Sequence, residues 1–220
     1  MIILYRKHGG TWLRTLQVEQ IRIGLDNFSY IVYCPATKNA TIVDPGFTID
    51  PALNSISSKK LLLQYVIVTH YHDDHAFALS QVKKMPSLKT VASKLDSKLL
   101  NTLIDLCVDD GDELRLGKGT VRFILTPGHT PGGLCILVDN WALLTGDTLF
   151  IGDCGRTDLP GGNTNAMFTS LQEKLMPLPD RLVVYPGHDY GDTPYDTLGN
   201  QKKTNKALLA KSVEALQQIP

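Results

Sequence analysis

Seven side chains with metal-binding chemistry stand just beyond apolar runs in this chain: His70, His72, Asp74, His75, His129, Asp147 and His188. The densest group is Thr69-His70-Tyr71-His72-Asp73-Asp74-His75, which follows Leu61-Leu62-Leu63-Gln64-Tyr65-Val66-Ile67-Val68. That run is short and ends in β-branched residues, so it reads as a buried strand whose end presents ligands. His70 and His72 are two apart and project to one side of extended backbone. Asp74 and His75 are neighbours and are expected to point apart, toward a second position. The other candidates repeat the setting. His129 in Thr126-Pro127-Gly128-His129-Thr130 and His188 in Tyr185-Pro186-Gly187-His188-Asp189 each follow a strand-like run and a Pro-Gly turn, and Asp147 closes Trp141-Ala142-Leu143-Leu144-Thr145-Gly146-Asp147. Of 6 histidines only His8 stands elsewhere, beside Gly9-Gly10, and it reads as a turn residue. Ordinary surface histidines would not share strand ends in this way. Imidazoles joined by a carboxylate suit zinc and leave a position for a non-protein ligand. Water held there drops to a pKa of about 7, so hydroxide is on hand at neutral pH without a Ser–His or Cys–His nucleophile.

Strands must position these groups. Alternating Leu16, Val18, Ile21 and Ile23 suggest an opening strand or hairpin, and Phe28–Tyr33 with Ala40–Val43 form a hairpin around Pro35–Asn39. Asp44 of Asp44-Pro45-Gly46 is most simply a turn-forming carboxylate; the second reading has it orient the histidine loop. A short helix follows Asp50-Pro51. Ala76 to Lys84 reads as a helix packed through Phe77, Leu79 and Val82 and stopped by Pro86, with Asp73 or Asp74 at its positive end. Leu88–Ala92 reads as a strand, and Ser93 as the cap of a helix through Leu103. Asp109-Asp110-Gly111-Asp112-Glu113 lacks the oxygen-ligand spacing of a calcium loop and precedes alternating Leu114 and Leu116, so it reads as a solvated turn. From Val121 the chain runs strand, His129 loop, strand (Leu134–Val138), strand (Ala142–Leu144), Asp147. Asn163 or Thr164 caps a helix carrying Met167, Phe168, Leu171 and Leu175, and Leu182–Tyr185 leads to His188. Asn200 to Gln218 reads as one amphipathic helix with Ala207, Leu208, Val213 and Leu216 inward.

The order His-x-His-x-Asp-His, Pro-Gly-His-Thr, Gly-Asp, Pro-Gly-His, from about Asn27 to His188, resembles the metallo-β-lactamase superfamily. The resemblance implies an α+β fold, a four-layer αββα sandwich with the site along one edge. It implies that His70, His72 and His129 hold one metal ion, that Asp74, His75 and His188 hold a second, and that Asp147 bridges them. The whole of 1–220 is then one such domain with a short helical tail from about 199. Two ions, zinc above all with iron or a mixed pair as alternatives, would share a hydroxide and stabilise the oxyanion of an acyl intermediate. Asp147 is catalytic as well as a ligand. Asp73 either accepts the proton of that water or faces solvent.

Phe150-Ile151-Gly152-Asp153-Cys154-Gly155-Arg156-Thr157-Asp158-Leu159-Pro160-Gly161-Gly162 follows Asp147, and a glycine-rich loop there can approach substrate closely. Arg156 offers a fork for a substrate carboxylate, unless it is paired with Asp158. This loop, Pro186–Tyr190 and Leu198–Asn205 are similar to two groups, the glyoxalase II-like thioesterases and the persulfide dioxygenases, which makes Arg156, Asp158 and Tyr190 candidate substrate contacts. The first resemblance implies a metal-dependent hydrolase of a small thioester or ester. The second implies a single Fe(II) on His70, His129 and Asp147, with oxygen and a persulfide in the open positions. The chain departs from full-length glyoxalase II, which carries a larger helical glutathione-binding domain after its last histidine and a basic residue and a tyrosine where Arg156 and Asp158 stand. A third class, a non-catalytic metal-binding module, would be favoured by lost ligands, and none is lost.

Composition narrows the partners. Formal net charge is +0 from 22 basic and 22 acidic residues with no Lys/Arg block, which argues against a nucleic-acid partner. Hydrophobic residues make up 43%, ordinary for a soluble protein, yet no run approaches a membrane span. Met1–Tyr5 is too short for a signal sequence. Cys34, Cys107, Cys135 and Cys154 form no C-x-x-C pair and read as free thiols of a reducing compartment, hence cytoplasmic. Cys154, near the site, is either oxidation-sensitive or an inert small residue. The expected partner is a small thiol-derived molecule, with a homo-oligomer possible.

Overall fold

The computed structural model describes residues 6–7, 10–11, 14–85 and 87–219, so the readings made for His8 and Pro86 fall outside them. One sheet orders β1 (Gln17–Ile23), β2 (Asn27–Tyr33), β3 (Asn39–Val43), β4 (Leu62–Ile67), β5 (Lys89–Ser93) and β6 (Leu106–Val108) side by side. A second orders β7 (Glu113–Leu116), β8 (Gly119–Leu125), β9 (Leu134–Val138), β10 (Ala142–Gly146), β11 (Val183–Pro186) and β12 (Asp196–Thr197) in the same way. Hairpin-connected strands pair antiparallel, whereas β3–β4, β4–β5, β5–β6 and β10–β11 pair parallel. Parallel neighbours need a crossover, and the helices supply it. α1 (Asp50–Ser58) joins β3 to β4, α2 (Asp73–Ala76) and α3 (Leu79–Val82) join β4 to β5, and α4 (Thr164–Thr169), continuing into a π-helical turn over Ser170–Leu175, joins β10 to β11.

Alternation along the strands builds three apolar layers. Phe28, Tyr30, Ile67 and Val91 meet Phe123, Ile136 and Leu144 between the sheets. Ile31, Ile42 and Val66 face Ala52, Leu79 and Val82 on the outer side of the first sheet, and Cys135, Leu143 and Val184 face Met167, Leu171, Leu175 and Leu208 on the outer side of the second. The layer order is αββα, as expected.

Local readings depart from this structure where tertiary contacts override periodicity. The run before the histidine loop is only partly buried: Leu61, Val66, Ile67 and Val68 are buried while Leu62 is 59% exposed, so its composition marks strand propensity more than burial. The helix expected over 76–84 starts at Asp73 and divides at Phe77–Ala78, where Gly46 bonds both sides of the break: its N–H donates to the His75 carbonyl at 3.0 Å and its carbonyl accepts from Ala78 at 2.9 Å. Phe77 therefore points outward against Phe47, ring centroids 6.0 Å apart, rather than into the core. Ser93 does accept the Asp96 N–H at 3.1 Å, but only a 3₁₀ turn over Asp96–Lys98 follows, because the Asp96 carboxylate is drawn away to Thr130 and Gly132. Asn200–Gln218 is three helices, α5 (Leu198–Thr204), α6 (Lys206–Leu209) and α7 (Val213–Gln217). Buried Asn205 causes the first break: its Oδ1 accepts from Ala207 and Leu208, and its Nδ2 donates to the carbonyls of Phe150 and Asp153 at 3.0 Å each. The acidic turn before β7 is as read, with Lys94 and Lys174 each 3.0 Å from Asp109 and Asp110. Among the described residues no helix is long and apolar enough to cross a membrane.

Candidate metal centre

His70 follows β4, His129 follows β8, Asp147 follows β10 and His188 follows β11, so four strand ends deliver ligands to one edge of the sandwich. His72 keeps extended backbone (φ −62°, ψ 142°) and α2 begins at the next residue. The ring centroids of His70 and His72 lie 4.8 Å apart, both on the side that faces His129. Asp74 and His75 do not point apart. They lie in the helical turn, where Asp74 Oδ2 and His75 Nε2 are 3.4 Å from each other and 3.3 and 3.2 Å from His188 Nε2. The alternation argument failed there because it assumed a strand where the chain coils.

Ligating atoms converge in three overlapping sets: His70, His72 and His129; His70, His75 and Asp147; Asp74, His75 and His188. Asp147 links them. Its Oδ2 stands 3.5 Å from His129 Nε2, 3.3 Å from His188 Nε2 and 4.0 Å from His70 Nε2, while its Oδ1 stands 3.4 Å from His75 Nε2. His70 Nε2 and Asp147 Oδ1 are buried without any hydrogen-bond partner. Buried orphan polar atoms are costly, and two of them aimed at one point call for a cation.

Hydrogen-bond direction says the same of the histidines. The His129 Nδ1 faces the Arg156 carbonyl at 2.7 Å, which can only accept, so Nδ1 carries the proton and the Nε2 lone pair points inward. His75 Nδ1 faces Asp44 Oδ2 at 3.2 Å and His188 Nδ1 faces Asp26 Oδ1 at 3.3 Å, with the same result. For His70 the logic runs through Thr69. The Thr69 hydroxyl donates to Asp44 Oδ2 at 2.7 Å and so accepts from His70 Nδ1 at 3.1 Å. These four imidazoles thus offer Nε2 to the centre, each held by a partner on its far nitrogen in the manner of metal-binding histidines, whereas His72 turns its Nδ1 toward His129 Nε2 at 2.9 Å. The donor set fits two divalent ions.

The charges agree. Burial raises the carboxyl pKa values of Asp74 and Asp147, but hydrogen bonding and charge from His75 and His188 outweigh it and hold both well below the usual carboxylate range. Burial works against the charged His188, yet Asp147 and Asp74 lift it to about 9. Burial and the neighbouring His75 push His70 well down.

Asp44, read first as a turn former, is 1% exposed at φ +53° and binds the Thr69 N–H, the Thr69 hydroxyl and His75. Its orienting contacts make the second of the two readings the better account. Sequence reasoning missed Asp26, Asn27 and Asp96. Asn27 Nδ2 donates to Asp74 Oδ2 at 2.9 Å, and buried Asp96 accepts from Tyr71 N, Thr130 Oγ1 and Gly132 N, tying the His70 loop to the His129 loop. None of the three has a local signal, since each partner lies far along the chain. Gly187 is required where it stands, because an added Cβ would strike Asp147 Oδ1, and Gly155 because one would strike the Asp147 carbonyl. The glycine-rich loop therefore closes on the ligand segment itself.

The remaining candidates lie at the rim. Asp73 is exposed, in the first turn of α2, and belongs to none of the three converging sets. Arg156 binds Asp158 through both Nε and Nη2 at 2.6 and 2.7 Å with both side chains mostly exposed, so its fork is engaged and its main chain is what reaches the centre. Tyr190 is 58% exposed and stacks on His188, centroids 4.8 Å apart. The four cysteines are unpaired; burial and then Asp153 push the Cys154 thiol up to about 12, which matches the inert reading.

Comparison with known proteins gives this geometry a lineage. The chain is 32% identical over 203 residues to a hydroxyacylglutathione hydrolase of Rhodospirillum rubrum, covering 92% of this chain and 77% of that one. It is 32% identical over 184 residues to the mitochondrial persulfide dioxygenase ETHE1 of Homo sapiens, covering 82% and 71%. The crystal structure of ETHE1 from Myxococcus xanthus superimposes with a TM-score of 0.82 at 29% identity, over 93% of this chain and 92% of that one. The profile of the Metallo-beta-lactamase superfamily matches residues 22–188. With that match spanning most of its length, the chain belongs to the metallo-β-lactamase superfamily, in the branch that holds both the glyoxalase II-like hydrolases and the persulfide dioxygenases.

Proposed function

We propose that the chain is a metal-dependent thioester hydrolase of the glyoxalase II type. His70, His72 and His129 would hold one divalent ion, Asp74, His75 and His188 would hold the other, and Asp147 would reach both. The observation behind this reading is the second donor set beside the first, with the Asp74, His75 and His188 atoms 3.2–3.4 Å apart, which gives places for two ions; the seven positions are common to both groups, so the metal count is what separates them. When bound, such an ion pair acidifies a water and polarises a carbonyl, with zinc the metal best matched to these donors. The oxygen of water adds to the acyl carbon and the C–S bond breaks, giving a carboxylic acid and a thiol. Asp44, Asp26, Thr69 and the Arg156 carbonyl keep the imidazoles aimed, so little reorganisation is needed on binding. To Asp73 we assign the relay of a proton between cleft and solvent, and to Tyr190 a rim contact with substrate.

A second reading, a mononuclear-iron persulfide dioxygenase on His70, His129 and Asp147, is favoured by the likeness to the Myxococcus xanthus structure. Metal content of protein purified without chelator, paired with oxygen uptake on glutathione persulfide and hydrolysis of S-lactoylglutathione, separates the two. About two equivalents of metal, thioester hydrolysis and no oxygen uptake are expected. About one equivalent of iron with persulfide-dependent oxygen consumption overturns the hydrolase.

A further inference from the structure

A cavity of about 400 Å³ opens beside the metal centre, between α2–α3 and the segment after the 3₁₀ turn. Its walls are Tyr71, Ala76, Phe77, Leu79, Leu99 and Leu100, and His72 and Asp73 also line it, so it borders the centre at His72. Two wall residues are large apolar side chains left open to solvent: Phe77 is 55% and Leu99 49% exposed. Phe47, also 55% exposed, packs on the outer side of Phe77 and extends the apolar rim. Ser80, Asn101 and Thr102 add uncharged polar groups to the lining, and Asp73 is the one carboxylate among the described lining residues.

We propose that this cleft is the acyl subsite and that the thioester substrate carries an apolar acyl chain of medium length. This deepens the hydrolase reading and rests on it. Phe77, Leu99 and, on the rim, Phe47 gather solvent-open apolar side chains at one place beside the candidate centre. An anionic group has no cation to meet among the described lining residues and would face Asp73 instead. The nearby Arg156 fork is already taken by Asp158. The volume falls in the range of small-molecule sites. At roughly 30 Å³ per water-sized group it accepts about eight to ten chain atoms with part of the cleft still hydrated. A scissile carbonyl at the centre then places its alkyl chain along Phe77, Leu99 and Leu100 and its thiol arm away from them.

The test uses zinc-loaded protein, with N-acetylcysteamine thioesters of acetic and octanoic acid as substrates and octanoate as a binding probe followed by calorimetry. Each methylene fully buried multiplies binding about fourfold, so even half-efficient burial of six gives the octanoyl ester at least a roughly tenfold higher kcat/KM than the acetyl ester. Leu99→Asn, and independently Phe77→Ser, cut that ratio to about threefold or less by slowing the octanoyl ester, and weaken octanoate binding about fivefold or more. Equal rates for the two esters, or a preference that both variants keep, overturn the acyl subsite while the hydrolase stands. If neither ester nor S-lactoylglutathione is cleaved, the hydrolase reading fails and octanoate decides the cleft separately. Binding weakened by Leu99→Asn sustains an apolar-chain subsite, and no binding overturns it.

Discussion

Asp44 sends one oxygen to the Thr69 N–H and the other to both the Thr69 hydroxyl and His75, so a single carboxylate aims His75 directly and His70 through Thr69. An amide in its place keeps the left-handed backbone tolerable, since Asn adopts it readily, but cannot accept from all three groups. Asp44→Asn is therefore expected to fold and to bind metal about 10–100-fold more weakly, measured by competition with a chelator. Unchanged affinity would show that the imidazoles need no such guide. Asp147 is the more severe case, because both of its oxygens face the histidine cluster. Asp147→Ala should abolish turnover under either functional reading, and a variant that keeps full rate removes Asp147 from the site. At this scale the seven ligand candidates were legible because residue type, local spacing and strand-end position coincide. The residues behind them were not. Asp44 acts on positions 25 and 31 residues away, Asn27 on one 47 away and Asp26 on one 162 away, and no local pattern encodes such a partner.

Elements that periodicity described well, the strands and α4, are those whose apolar stripe alone decides their state. It failed where a buried polar side chain rules. Asn205 ends one helix and starts another because it must also hold the loop after Asp147, and Asp96 limits its segment to one tight turn because it must hold the Tyr71 and Thr130 loops. Asp96→Asn presents an amide to donors and is expected to cost about 1–3 kcal/mol, read by urea unfolding, with weaker metal binding as the His129 loop loosens. Unfolding that matches the parent would deny Asp96 this role. Asp105 pins α3 to β5: Lys83, then the Thr90 N–H and hydroxyl, hold its carboxyl down at about 2. A depressed acid stabilises the fold above its unfolded pKa of about 4, and that contribution is lost as pH falls toward the folded value. Because its side chain is 37% exposed, screening leaves about 1 kcal/mol of that effect. The stability gap between Asp105→Asn and the parent should accordingly shrink as pH drops from about 5 to about 2.5. A gap that stays constant would mean the ionised carboxylate contributes nothing.

The first sheet and its helices carry His70, His72, Asp74 and His75, and the second carries His129, Asp147 and His188, so metal held by both groups would cross-link the two halves of the sandwich. A site filled at about a thousand times its dissociation constant adds about 4 kcal/mol, which for a chain of this size corresponds to roughly 10 °C. Stripping with a chelator should lower Tm by about that amount and re-addition of metal should restore it, followed by thermal unfolding. A Tm indifferent to chelator would mean no ion bridges the sheets. The layer order was legible because the ligand order identifies the fold, whereas the divided tail depends on Asn205. The seam between the halves also has a direction in time. The segment holding His188 is stitched back onto the start of β2: Asn27 and His188 form an isolated bridge, Gly187 accepts from Phe28 at 2.8 Å, and the Asp189 N–H donates to Asp26 at 2.7 Å. A growing chain that has passed Asp147 but not His188 owns six of the seven ligating groups and lacks the one that closes the second set. On the ribosome the first sheet can form early while the candidate centre stays incomplete, so capture of metal there would be a late step of biosynthesis.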